Sequence, residues 1–211
     1  MPASQGGTGL IAPGASGNVL TSNGSIWTSA AGGGGGFGNI RSFTTSTTWT
    51  IPTGITKIKA YVTGGGAGCS GNVGGGAGGT VVDYLTVTPG ATATITIGAG
   101  GATGTTSTGG NTTLVIGSTT LTGNGGSQNN SFGSGAGGSA SSSGGGATPV
   151  IIPGGDGSRI APGTLPVGAA SIWGGQNVGS NAFGSGGGQR TDQFTNTFPN
   201  AGAPGVVVIE W

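Results

Sequence analysis

Glycine occupies 55 of the 211 positions, and any ordered fold of this chain has to hold those positions still. Fixing one residue costs roughly 1–2 kcal/mol, with glycine at the upper end of the range. Ile, Leu, Val and Phe together supply only 39 residues, so side-chain burial offers little to set against that cost. Two physical remedies exist. Copies of the chain can assemble, or glycine segments can pack backbone against backbone and hydrogen-bond to one another. Both are expected here.

The spacing of the glycines bears on the second remedy. Gly65, Gly68, Gly71 and Gly74 recur every three residues, as do Gly98, Gly101 and Gly104. Three residues per turn is the period of a polyproline-II-type helix, which has no internal hydrogen bonds. Such strands satisfy their backbone groups only by pairing with neighbours, and glycine at the contact lets them approach. A chain this rich in glycine also produces three-residue spacings by chance, so both readings of the 64–79 and 123–146 tracts stand.

Gly plus Pro reaches 65 residues, a proportion that by itself signals disorder. Disordered chains, however, usually carry high net charge, and this one has five basic and four acidic residues, a formal +1. Those scattered charges leave no electrostatic footprint for nucleic acid. No apolar run approaches the ~20 residues of a membrane span, and the N-terminus lacks the basic flank and apolar block of a signal peptide. A single cysteine, Cys69, excludes an intrachain disulfide framework. With no histidine, the usual zinc sets are unavailable.

The chain divides into three stretches. In residues 1–31, Asn23-Gly24 between Val19-Leu20 and Ile26-Trp27 is a type I′ hairpin signal. One such hairpin is not stable alone, so this segment is expected to pair with another domain or with other chains. Residues 32–38 open on five glycines and read as a linker. From 39 to 211 the pattern is of strands. Ile40–Ile51 is rich in Thr and aromatic residues. Ile55–Thr63 alternates, with Ile58, Ala60 and Val62 on one face. Thr80–Thr88, Thr92–Ile97, the pair Thr112–Ile116 and Thr119–Leu121, and Val206–Trp211 follow. Asp83 shares the apolar phase of its strand, which predicts a partly solvated face or a bulge there. No helical period persists beyond a turn. The expectation is an all-β domain, a small β-sandwich with long glycine-rich loops and packed polyglycine-II-type segments among them.

Residues 123–204 carry almost no strand signal and read as successive loops, a length usually tied to function or disorder. Phe132, Trp173, Phe183, Phe194 and Phe198 are spaced through them, with Arg190 and Asp192 as hydrogen-bonding neighbours. Aromatic anchors on Gly/Ser/Asn loops are a binding-surface composition, and these seven residues are the candidate contacts. The competing reading makes the rings the only core the loops possess.

Catalysis finds no material. Serine and cysteine nucleophile arrangements need a histidine base, and a glycosidase needs paired carboxylates, of which Asp83, Asp156 and Asp192 are the weak candidates. The phosphate-loop pattern needs Lys directly after its last Gly, and no Gly-Lys pair occurs. Asp156 within Gly154-Gly155-Asp156-Gly157 reads as a turn residue sooner than a calcium ligand. Cys69 reads as a small buried side chain. No catalytic residue, metal site or cofactor is expected.

Several motifs in order carry a resemblance. They are Phe43 with Trp49, Ile51-Pro52, Gly54-Ile55 and Lys57; then Tyr61-Val62-Thr63-Gly64-Gly65-Gly66-Ala67-Gly68; then Val87-Thr88-Pro89-Gly90 leading to Ile95-Thr96-Ile97-Gly98; and Pro204 to Trp211. Residues 39–211 thereby resemble the glycine-rich domain near the C-termini of bacteriophage tail fibres. Residues 5–29, with Gly6-Gly7-Thr8-Gly9 and Gly17-Asn18-Val19-Leu20-Thr21-Ser22, resemble a segment of trimeric phage fibres. The resemblance implies a virion protein at a fibre tip, a homotrimer that contacts a host surface glycan or outer-membrane protein and other tail or baseplate proteins through residues 1–31. Related tip adhesins of T-even-like phages carry stacked polyglycine-type helices whose loops touch the receptor. This chain departs from them in its less regular glycine period and in lacking their long docking domain. Two other readings remain: a structural short-fibre or baseplate decoration without receptor contact, and a glycine-rich bacterial surface or ice-binding protein, which would want threonine arrays and a secretion signal.

Overall fold

The computed structural model describes residues 10, 15–16, 18–22, 25–31, 37–70, 73–104, 107–128, 134–145, 148–159, 165–174, 182–191 and 197–211. Among them every regular element is a β-strand. They form two units, 1–38 and 39–211.

The first unit contains a two-stranded ribbon. Strands β1 (Asn18–Ser22) and β2 (Trp27–Ala31) pair antiparallel from Asn18↔Ala31 to Ser22↔Trp27. Asn18 donates through Nδ2 to Ser29 Oγ (2.9 Å), and the Thr21 and Thr28 hydroxyls lie 3.0 Å apart. The turn at Asn23-Gly24 and the glycine run 32–36 lie outside the described residues. Val19, Leu20, Ile26 and Trp27 are exposed.

The second unit is a sandwich of two five-stranded antiparallel sheets. Strands β3 (Ile40–Phe43) and β4 (Thr47–Thr50) are followed by β5 (Lys57–Thr63), β6 (Thr80–Thr86) and β7 (Thr92–Thr96). Next come β8 (Thr112–Ile116), β9 (Thr119–Gly123), β10 (Ala140–Ser143) and β11 (Val150–Ile152). Strands β12 (Gln189–Thr191) and β13 (Thr197–Pro199) form a separate ribbon, and β14 is Val206–Glu210. Sheet I runs β10-β9-β8-β7-β4 and sheet II runs β11-β6-β5-β14-β3. The stretch Ile40–Ile51 is thus two strands, one in each sheet. Residues 123–204, expected to be strand-free, contribute β10 to β13. The serines of β10 and the short Val150-Ile151-Ile152 run of β11 carry little pattern, and pairing to established edges is what makes them strands.

The alternation of period 2 fills the space between the sheets. Ile58, Ala60, Val62, Val81, Leu85, Val207 and Ile209 of sheet II face Ala93, Ile95, Leu114 and Leu121 of sheet I, all buried. Trp49 closes one side, 6.1 Å from Phe43 and 5.1 Å from Trp211 between ring centroids.

Asp83 departs from both alternatives expected for it. The β5–β6 register is unbroken from Lys57↔Thr86 to Thr63↔Thr80, and Asp83 is 1% exposed. Edge strand β10 covers it, and Ser142 donates its hydroxyl to Asp83 Oδ2 at 2.9 Å. Its Oδ1 is buried and has no partner among the described residues. Ser142→Ala is therefore expected to lower the unfolding free energy by about 1–3 kcal/mol, because it strips a buried acceptor of its remaining donor. Denaturant titration of the variant against the parent measures this.

Above the sandwich the strands continue as glycine tracts. β5 runs into 64–69 and β6 out of 73–79. Their amides are satisfied in a repeat of three (2.8–3.2 Å). Gly64 and Ala67 donate to Gly79 and Gly76; Gly65 and Gly68 to Gly110 and Ser107; Gly66 and Cys69 to Ala203 and Asn200. Three successive residues address three different neighbours. The returning tract does the same: Gly74 and Ala77 donate to Ser158 and Gly155, Gly75 and Gly78 to Gly187 and Gly184, Gly76 and Gly79 to Ser127 and Asn124. With the bonds it accepts from Gly101, Gly126 and Gly187, tract 64–69 touches six neighbours: 73–79, 98–104, 107–110, 123–128, 184–188 and 200–203. This is the packing of polyglycine-II-type strands, whose amides and carbonyls pair sideways because none can be paired along the strand. The glycine series 65–74 is not one helix, since the chain reverses between Ser70 and Val73. Its three-residue spacing is nonetheless structural at Gly65 and Gly68, where an added Cβ would run into the carbonyls of Ala99 and Ala102.

Candidate functional site

The tracts pair antiparallel as five hairpins, and this decides where loops can project. Tract 64–69 returns as 73–79 and 98–104 as 107–111. Likewise 123–128 returns as 135–139, 154–158 as 166–170, and 184–188 as 200–205. Ser127 donates to Ala136, Ser158 to Val167, Gly110 to Ala99, and Asn200 to Gly188. The residues flanking the reversals are tied to one another. Gly68 donates to Ser107, Gly104 to Cys69, Cys69 to Asn200, and Gly74 to Ser158. Gln128, buried, donates through Nε2 to the Gly68 carbonyl (2.8 Å) and accepts from the Ser107 amide through Oε1 (3.1 Å). All five reversals therefore leave from the end of the lattice opposite the sandwich, called the distal end below.

The seven candidate residues separate into two groups. Phe132 falls in the reversal after Gln128, and Asp192 and Phe194 fall between β12 and β13; these three lie outside the described residues. Arg190 and Phe198 are cross-strand partners in the β12–β13 ribbon, which belongs to the same distal reversal. Trp173 and Phe183 lie elsewhere, in the connection at the sandwich end. Trp173 donates its indole Nε1–H to Thr63 Oγ1 (2.7 Å) and meets Tyr61 edge-on, 5.7 Å between centroids. Sequence spacing placed all seven in one loop region; the hairpin topology sends two of them to the other end.

Trp173 and Phe183 border a cavity of about 310 Å³ that is completed by Ile40, Ser42, Val206 and Val208. It opens on the outer face of sheet II, where Lys59 lies 4.7 Å from the Tyr61 ring centre and 5.7 Å from that of Tyr84. Lys59 Nζ is 3.6 Å from Glu210 Oε2. The Lys59 pKa is raised above the ordinary lysine value, chiefly by hydrogen bonding to Tyr61. The sequence reading passed over this face because Lys57, Lys59 and Tyr61 look like the solvated phase of an alternating strand. The exposed Tyr84, in register with Lys59, was the available signal.

Cys69 is buried within tract 64–69, its amide and carbonyl both bonded. Burial pushes its thiol up to about 11 from an ordinary 9.0. The folded chain thus holds the neutral thiol while the unfolded chain ionises first. This contribution to stability is complete below pH 9 and is lost as pH rises towards 11, by about 2 kcal/mol. Denaturant titrations at stepped pH should show that loss in the parent and lack it in Cys69→Ala.

A family model described as a glycine-rich domain matches residues 41–211. The chain belongs to this glycine-rich domain family. The match spans the sandwich and all ten glycine tracts, so the glycine-rich domain of this chain is the whole of the lattice and its β base. No curated protein matches the chain.

Proposed function

We propose that this protein is a bacteriophage tail-fibre or fibre-tip protein that recognises the bacterial host surface during adsorption, carried on the virion as a homotrimer. One observation carries the reading. Five glycine hairpins reverse at a single end of a backbone-bonded lattice, and the candidate contacts Arg190 and Phe198 pair at that end. A lattice held by main-chain bonds tolerates change in its turns, because the bonds that order it lie below them. This is the physical requirement of a surface whose specificity varies on a fixed base. The exposed Val19, Leu20 and Trp27 of the β1–β2 ribbon, with Ile26 just before β2, support assembly through residues 1–31, since a lone ribbon is marginal in water. The same segment would join the fibre or baseplate.

The test exchanges residues 129–133 and 190–198 for the corresponding turns of a fibre with another host. Adsorption is expected to follow the donor of the turns. Adsorption unchanged by both exchanges would remove receptor contact and leave the structural reading, a short-fibre or baseplate decoration.

A further inference from the structure

We propose that the outer face of sheet II is an interface, buried against the same face of sister copies of this chain. The inference does not depend on the receptor reading.

It starts from a difference between the two outer faces of one sandwich. An antiparallel sheet with water on one side shows polar residues there, and sheet I does so. Thr48, Thr94, Thr120 and Ser143 lie in one cross-strand row, interrupted only by Val115. Sheet II has the same alternation and the same number of strands, yet its outward phase carries large apolar and aromatic side chains among its polar ones. Val150, Val82, Tyr61 and Val208 are successive cross-strand partners over four strands. The next row is Tyr84, Lys59, Glu210 and Ile40. Ile40, Val150 and Tyr84 are 68%, 58% and 55% exposed. Val208 is already covered within the chain, but large apolar and aromatic side chains left exposed on adjoining rows of one face, in a chain with so few of them, mark a contact surface.

The charges name the occupant. Within these two rows the ionic groups are Lys59 and Glu210, adjacent and of opposite sign, with Lys57 further along β5 on the same face. A face on which one cation sits beside one anion complements itself: Lys59 of one copy meets Glu210 of another, and Lys57 leaves a single unmatched positive charge per copy. The cavity at the end of this face offers a single side-chain hydroxyl, Ser42, among Ile40, Trp173, Phe183, Val206 and Val208. An aliphatic side chain of a sister copy fits that lining.

Hydroxyl-radical footprinting of the purified full chain reads the surface directly. Tyr84, Ile40 and Val150 are expected to label several-fold more slowly than residues of their exposure, and Val150→Glu to restore Tyr84 labelling while the variant still unfolds in one cooperative transition. A second measurement does not depend on that variant. Lys59→Glu and Glu210→Lys chains should each lose the protection alone and regain it when refolded together. Labelling of Tyr84 at the full rate in the parent overturns the proposal, as does mixing without rescue. Protection that appears only on adding host envelope overturns it too, and would make this face a receptor site.

Discussion

Gly75→Ala is expected to lower the unfolding free energy by about 4 kcal/mol or more, while Gly38→Ala changes it by less than about 0.5 kcal/mol. The two substitutions add the same methyl group. Gly38 has open space around its missing Cβ. At Gly75 the added carbon would run into the carbonyl of Ala67, a backbone atom that cannot turn aside as a side chain does. Tract 64–69 would have to move off tract 73–79, breaking the bonds from Gly64 to Gly79 and from Ala67 to Gly76. Gly75 also donates to Gly187 and accepts from Ala169, so the displacement reaches the two neighbouring hairpins. Each freed amide or carbonyl is then buried without a partner. Denaturant titration of both variants decides the matter. Equal stability of Gly75→Ala and the parent would mean that these tracts do not touch.

Trp49→Ala is expected to cost about 3–5 kcal/mol and Trp49→Phe distinctly less. Trp49 belongs to edge strand β4 of sheet I, while its ring neighbours Phe43 and Trp211 belong to sheet II and its end. The indole therefore bridges the sheets where the chain crosses from β3 to β4. Removing it leaves a cavity that backbone pairing on both sides prevents from collapsing. Unfolding midpoints by circular dichroism, which does not rely on the deleted fluorophore, measure the loss. Because Gly75 and Trp49 share no neighbour, their costs should add within about 0.5 kcal/mol in the double variant.

Much of the sandwich was legible in the alternation of its strands. Ile58, Ala60 and Val62 were assigned to one face and are buried together, and the pair Thr112–Ile116 and Thr119–Leu121 forms a hairpin that turns at Gly117, φ 56°. Asp83 shows the limit. Its phase was read correctly, but the partner that lets a carboxylate sit there is Ser142, 59 residues away in a stretch without strand pattern. Strands β10 and β11 were missed for the same reason, since an edge strand is made by the edge it joins. Trp173 and Phe183 were grouped with Arg190 and Phe198 because sequence records spacing along the chain and not the direction in which a hairpin runs.

By itself the sequence determined an all-β chain, an inventory without histidine, and glycines placed every third residue at points such as Gly65 and Gly68. Those follow from local rules: side-chain period, functional-group inventory, and the steric freedom of a residue without Cβ. Only the tertiary structure decided that the tracts pack as a lattice with six neighbours around tract 64–69, that all five reversals share one end, and that sheet II turns an apolar face outward. A polyglycine-II-type strand has no hydrogen bonds of its own, so its order exists only in its neighbours, and neighbours are what a linear sequence does not display.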